Sequence, residues 1–342
     1  MDNVIRLIMK SKSKKPLTFS EIQQVIEYSL GTPKLGSIVE LTDGWFNAAY
    51  SIELPDLDQE VVMKIAPPPE IKVLTYEKNI MQTEFQVYKL LKEKTDVPVP
   101  AILSYDFEHD ILNRDFLILE KLKGVPWNKI KNNLSQEQND QLKYQMGVYA
   151  AHINSNIGKY FGYFTDYDKS YNKNWEETFL NMVKNVLDDG ILLDVKLPQT
   201  REKIMKLIEK RTETLDAVKI PQLVHWDLWE GNIFIKDKGS RNYVIEGIID
   251  CERALWGDPL IEYEFINSPT NKAFLKGFEK GRKAKFEFSN NLKTRRRLYN
   301  VYLFLIMVTE AKSRGYHGSE ALSIINWAKD QLQNNLTQLE EK

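Results

Sequence analysis

Apolar residues first recur at helical spacing in Ile22, Val25 and Ile26, with Thr18 and Glu21 spaced as a reciprocal cap ahead of them and Gly31 behind. Residues 19–30 are therefore expected to open the chain as a helix. The pattern then changes to strand-like segments at 37–42, 48–54 and 60–66, with Asp43-Gly44 between the first two as a two-residue hairpin signal. Pro67-Pro68-Pro69 forbids regular structure, and Ile80, Val87, Leu90 and Leu91 predict a helix over 76–94. Two more short apolar segments, 101–105 and 115–119, follow Val97-Pro98-Val99-Pro100.

A polar stretch at 121–134 reads as a hinge or linker, after which helical spacing dominates: 137–155, 174–188, 199–218, 259–280, 290–313 and 319–339. One interruption stands among these helices. Residues 233–236 and 243–249 are strand-like and flank the turn Asp237-Lys238-Gly239-Ser240, which predicts an inserted hairpin. The expected fold class is α+β: an N-terminal lobe, residues 1–120, of antiparallel sheet with one main helix and an opening helix, then the linker 121–134, then a larger, mostly helical C-terminal lobe, 135–342.

Composition acts by exclusion. Over 342 residues the chain is 42% hydrophobic and 28% charged, with 47 Lys+Arg against 48 Asp+Glu, which excludes disordered and collagen-like classes and argues against a general nucleic-acid binder. The longest uncharged apolar run, 301–308, falls far short of the roughly 20 residues that span a bilayer. No secretory signal is expected at the N-terminus, and the single Cys251 cannot form an internal disulfide, so a cytoplasmic protein is the economical expectation. Gly-x-x-x-x-Gly-Lys-Ser/Thr, Gly-x-Gly-x-x-Gly, Gly-x-Ser-x-Gly, Cys-x-x-Cys and His-Glu-x-x-His are all missing, and the four histidines share no metal-ligand spacing.

What remains is one loop. The segment from His225 through Trp226, Asp227, Leu228, Trp229, Glu230 and Gly231 to Asn232 fits His-x-Asp-Leu-x-x-x-Asn, the kinase catalytic-loop template. That spacing lets a carboxylate sit at an acceptor hydroxyl while an amide oxygen five residues on reaches a phosphate-bound Mg²⁺. The predicted hairpin would return Asp250, at the end of the apolar strand, to within a few residues of Asn232, giving oxygen ligands suited to Mg²⁺. Taken singly, Asp227 and Asn232 are ordinary turn residues and His225 an ordinary buried histidine; only their joint occurrence carries the reading.

This loop, together with the run Ile249-Asp250-Cys251-Glu252-Arg253-Ala254-Leu255-Trp256-Gly257-Asp258-Pro259, resembles the aminoglycoside phosphotransferase family, which includes choline-kinase-like and other small-molecule kinases. The resemblance runs from about Leu41 to the C-terminal helices and implies a bilobal, protein-kinase-like fold. It implies that Lys64, in Val61-Val62-Met63-Lys64, pairs nucleotide phosphates. Lys64 inside an apolar strand needs a carboxylate or an escape to solvent. Glu84 is the natural partner and Glu77, two turns earlier on nearly the same face, the competing one. The same resemblance makes residues 41–47, with the single Gly44, the nucleotide-covering loop, and puts Glu120 and Lys121 at the interlobe hinge that faces adenine. No Phe-Gly follows Asp250 and no Ala-Pro-Glu follows later, so the peptide platform of protein kinases is not evident.

Charge refines the partner. Nine acids against four bases lie between Asp227 and Glu264, and the carboxylates left after a nucleotide site, Glu252, Asp258, Glu262 and Glu264, suggest a cationic acceptor, with Trp226, Trp229, Trp256 and Tyr263 as aromatic faces. For Asp258 the preferred role is a helix cap ahead of Pro259. The basic run 272–297 reads as a solvated helix face rather than a nucleic-acid or lipid surface. The expected activity is ATP- and Mg²⁺-dependent phosphoryl transfer, with GTP as the alternative nucleotide, to a hydroxyl of a small molecule such as an aminoglycoside or amino alcohol. Its rivals are a kinase-fold nucleotide-binding or ligand-sensing module without turnover and a protein kinase.

Overall fold

A computed structural model describes residues 11–32, 34–44, 46–164, 173–263, 265, 271–285 and 290–341. Helix α1 (Phe19–Leu30) begins at the expected capping box of Thr18 and Glu21 and ends on Gly31 in the left-handed conformation. The strands β1 (Ile38–Glu40), β2 (Ala48–Leu54), β3 (Gln59–Ile65), β4 (Ile102–Asp106) and β5 (Phe116–Glu120) form an antiparallel sheet in the order β1-β2-β3-β5-β4. Alternation sorts its faces. Val61, Met63, Ile65, Phe116 and Ile118 pack with Ile22, Val25 and Ile26 of α1, while Leu117 and Leu119 join the main core with helix α2 (Ile80–Lys94). Lys64, between Met63 and Ile65, is thereby turned to the α2 side, and its register partner on β5 is Leu117.

Two expectations in this half are corrected. Asp43-Gly44 is not a two-residue turn: β1 and β2 are joined by residues 41–47, and neither residue has the positive φ that such a turn requires. The helix begins at Ile80 rather than 76, because Asn79 is left-handed at φ 57° and a separate 3₁₀ turn, Thr75–Glu77, precedes it. Glu77 closes that turn by accepting the Leu74 amide at 2.8 Å.

Residues 121–134 are built rather than bare: they contain β6 (Val125–Pro126) and the one-turn helix α3 (Trp127–Ile130), and β6 pairs with the predicted hairpin, β9 (Ile233–Asp237) and β10 (Tyr243–Ile248). A second small sheet joins β7 (Gly162–Tyr163), β11 (Leu255–Gly257) and β8 (Gln222–Val224). Around them stand α4 (Gln136–Asn154), α5 (Trp175–Leu192), α6 (Arg201–Glu209), α7 (Lys272–Arg282), α8 (Asn290–Ser313) and α9 (Ser319–Glu340). The chain is an α+β, bilobal, kinase-like fold. Its α4 and α7 cross at backbone contact, which Gly147 and Gly277 permit because a side chain at either would strike the other helix's main chain. The helix expected over 199–218 stops at Glu209, where Thr212 and Thr214 turn their hydroxyls back onto the carbonyls of Glu209 and Arg211. The one expected over 259–280 is a 3₁₀ turn, Pro259–Ile261, and later α7; residues 264 and 266–270 lie outside the described residues. Among the described residues no helix is long and apolar enough to cross a membrane.

Candidate active site

At the junction of the two lobes a lysine from the sheet meets carboxylates from two segments. Lys64 Nζ lies 2.5 Å from Glu84 Oε2 on α2 and 2.9 Å from Asp250 Oδ1, which follows β10. Burial works against the ammonium, but Asp250, Glu84 and Glu252 outweigh it and raise its pKa. Burial likewise pushes Asp250 up, and the charge and hydrogen bond of Lys64 reverse this, so its carboxyl ends below the ordinary value. The structure decides for Glu84 over Glu77. Glu77 instead accepts from Arg314 at 2.6 Å, beyond α8, with its side chain 1% exposed.

The predicted loop is held as a unit. Ile249 N–H donates to Asn232 O at 2.9 Å, so the hairpin does return Asp250 beside Asn232. Asn232 Nδ2 donates to Asp227 Oδ2 and to Asp227 O, both at 2.9 Å, which leaves its Oδ1 as the oxygen that could serve a cation. His225 is buried and bridges: its Nδ1 accepts the Asp227 amide at 3.2 Å, so the ring proton sits on Nε2 and is donated to Ile249 O at 3.0 Å. Trp226 is held at φ 64° and Asp250 at φ 67°, left-handed conformations that strain non-glycine residues and persist only where surroundings fix them.

Glu262 supplies much of that fixing. Its Oε2 accepts the Trp226 amide and its Oε1 the Leu228 amide, each at 3.1 Å, from a position 2% exposed. Burial pushes the Asp227 carboxyl up to about 6, against the opposing pull of Arg253. A carboxyl with that value can exchange a proton near neutral pH.

The acidic excess is consumed within the fold. Glu252 is buried, accepts from Asn47 Nδ2 at 2.8 Å, and is pushed up to about 8 by burial and by Asp250. Asp258 caps the turn at Pro259, accepting from Leu260 N, and takes Arg295 Nε at 2.8 Å and Tyr299 Oη at 2.7 Å. The capping expectation holds; with Glu262 on the loop backbone, these three acids give no support to a cationic acceptor, and Glu264 lies outside the described residues. Trp226 and Trp256 are core residues, stacked on Tyr302 and Phe164.

Three predicted residues are not in the cluster. Gly44 is exposed in the 41–47 loop, whose Asp43 pairs with Lys129 of α3 at 2.7 Å while Trp45 lies outside the described residues. Glu120 Oε2 accepts the Ala101 amide at 3.4 Å, and Lys121 pairs with Glu60 at 2.7 Å, so both side chains stay at the sheet end. The sequence reading took Glu252 and Glu262 for acceptor-facing acids rather than for a partner of Asn47 and a clamp on the loop backbone, and it gave no role to Arg253 or Tyr88. Only Tyr88 had a local signal: it stands four residues after Glu84, on the same helix face.

Oxygen atoms of Glu84, Asp250 and Glu252 lie within 4.8 Å of one another, which resembles a cation cage. Lys64 already occupies two of the three. The donor set that fits Mg²⁺ is Asn232 with Asp250: few hard oxygen ligands, the rest left to substrate phosphates and water.

The fold and this lysine-carboxylate junction define a kinase-like phosphotransferase. A family model for the phosphotransferase enzyme family, APH, matches residues 37–265, and the chain belongs to that family. A search of curated proteins finds no significant match. Among solved structures, a candidate aminoglycoside phosphotransferase of Ralstonia eutropha JMP134 superposes with a TM-score of 0.65 at 13% identity, covering 95% of this chain and 99% of that one. A thermostable variant of APH(4)-Ia with ADP and hygromycin B gives 0.63 at 14% identity, covering 93% and 98%. The streptomycin-ATP complex of APH(2″)-IIa gives 0.56 at 16%, covering 96% and 98%. At such identities the likeness is one of fold.

Proposed function

We propose that this protein transfers the γ-phosphoryl group of ATP, with GTP as the alternative donor, to a hydroxyl of a small molecule, with Asp227 as the catalytic residue. The observation that carries the reading is the meeting of Lys64–Glu84 from one lobe with Asp227, Asn232 and Asp250 from the other. Asp227, oriented through the Asn232 hydrogen bond to one carboxylate oxygen, receives the acceptor's proton at the other. Lys64, braced by Glu84, steadies the nucleotide phosphates, and Asn232 and Asp250 would hold Mg²⁺. The metal, when bound, supplies charge neutralisation on the phosphates. Rate enhancement comes mainly from positioning and electrostatic stabilisation of an in-line transfer. Support for a cationic acceptor now rests on the aminoglycosides bound in the similar structures rather than on this chain's own acids.

The test is transfer of labelled γ-phosphate from ATP and from GTP to aminoglycosides, macrolides, amino alcohols and sugars by the wild type and Asp227→Asn. Labelling of at least one hydroxyl is expected, with Asp227→Asn slower by roughly 10²–10⁴-fold and ATP affinity within a few-fold of wild type. No labelled acceptor, or undiminished turnover in the variant, would remove the reading.

A further inference from the structure

Glu84 and Tyr88 lie one turn apart on α2, and together they touch both halves of the candidate site. Glu84 gives Oε2 to Lys64. Its other oxygen, Oε1, accepts the Tyr88 hydroxyl at 2.6 Å, and that same hydroxyl accepts the Asp250 amide at 2.9 Å. Tyr88 is 1% exposed, so both hydrogen bonds are made away from water, where their loss would leave a buried amide and a buried carboxylate oxygen without partners. Asp250 is also held at φ 67°, in the left-handed region that aspartate enters only as a single residue fixed by its surroundings. Among the described residues, Tyr88 is the only acceptor of its amide.

We propose that Tyr88 is a positioning residue that fastens the backbone of Asp250 to helix α2, setting the Asp250 carboxylate for Mg²⁺ in register with the Lys64–Glu84 pair. The proposal rests on the phosphotransferase reading and adds to it how the site is kept assembled: one helical turn carries the lysine's carboxylate and the metal carboxylate's backbone clamp. Coupling of this kind matters because a ligand residue is only as well aimed as the groups that orient it, and removing such a group commonly weakens metal binding by about 10–100-fold. Movement of α2 away from Asp250 would break this hydrogen bond and leave the Asp250 amide unpaired.

Tyr88→Phe removes the hydroxyl and keeps the ring. In the full chain, calorimetric titration of ADP and of AMP-PNP is run with EDTA and over rising Mg²⁺. The variant is expected to need on the order of tenfold more Mg²⁺ for half-maximal nucleotide affinity, and to lose more affinity with Mg²⁺ than in EDTA. Hydrogen exchange gives a readout that needs no activity: the Asp250 amide should be protected in the wild type like the amides of β10, and should exchange faster in Tyr88→Phe while β9 and β10 stay as they were. Wild-type Mg²⁺ dependence in the variant, or an unprotected Asp250 amide in the wild type, would overturn the proposal alone. Absence of Mg²⁺-dependent nucleotide binding in the wild type would overturn it together with the phosphotransferase reading. If Tyr88→Phe fails to fold, the wild-type exchange measurement still decides.

Discussion

Lys64 and its two rival carboxylates show how one residue's burial and neighbours fix its role. Glu84 and Glu77 are both nearly inaccessible, yet Glu84 meets the lysine and Glu77 meets Arg314. Their exchange for Gln should therefore separate activity from stability. Glu84→Gln is expected to lower kcat/KM by on the order of tenfold or more, because the brace of Lys64 is weakened where the nucleotide binds. Glu77→Gln is expected to leave kcat/KM unchanged and to lower stability by about 1–3 kcal/mol in urea unfolding, because the Arg314 guanidinium loses the nearer of its two charged acceptors. The reverse allocation would show that the lysine's partner is misassigned. At this scale the identity of the loop residues was legible, since His225, Asp227 and Asn232 carry a spacing with a chemical reason. The choice between Glu84 and Glu77 was not, because a helix that had run unbroken from 76 would have placed both on one face; the left-handed Asn79 breaks it.

At the scale of elements, the catalytic loop is fastened to its neighbours by charge as well as by backbone. Glu230, next to Gly231 in that loop, accepts from Lys131 at 2.6 Å and from Lys143 of α4 at 3.1 Å. Burial alone would raise its carboxyl; Lys143 and Lys131 overcome this and hold it down at about 2. A folded-state pKa below the unfolded value near 4.5 contributes stability that is complete above about pH 4.5 and is lost as pH falls toward about 2. Glu230→Gln should accordingly be less stable than the wild type by about 1–2 kcal/mol at neutral pH, after allowance for solvent screening, and the gap should close between about pH 4.5 and 2. Denaturant titrations at pH 7 and across the acid range check this; a gap that stays constant with pH would contradict it. The five strands of the N-terminal sheet and most helices were legible in the hydrophobic pattern, and the β9–β10 hairpin appeared where its turn residues put it, whereas β6, β7, β8 and β11, two or three residues each, are too short to carry a periodicity. The 41–47 connection was misjudged because Asp43-Gly44 carries a hairpin signal that the longer loop does not use. That loop is instead shaped by distant contacts: Lys129 on Asp43, the Arg314 guanidinium over Phe46 at 5.4 Å, and Glu252 on Asn47.

Across the whole molecule, Arg314 is where the segment around Lys12 and the two lobes meet. It pairs with Glu77 ahead of α2 and with Glu310 of α8 at 3.5 Å, while Glu310 also takes Arg253 at 2.6 Å and the Tyr76 hydroxyl. Its carbonyl receives the Lys12 amide at 3.0 Å. Arg314→Leu would leave the buried Glu77 without its cationic partner and Glu310 with Arg253 alone, and an equilibrium unfolding experiment should show a loss of about 3–5 kcal/mol, the usual consequence of removing one partner from a buried ion pair. A loss below 1 kcal/mol would mean that the network does not join the lobes energetically. The sequence by itself determined the α+β lobes, the polar residues with a catalytic spacing and the resemblance that follows from them, because local periodicity, caps and short motifs are carried by neighbouring residues. Only the tertiary structure decided which carboxylates serve the site and which are spent inside the fold. Glu262 reaches a loop some 35 residues away, and Tyr88 and Asp250 stand 162 apart. Such partners are chosen by packing and desolvation in three dimensions, and no spacing along the chain encodes them.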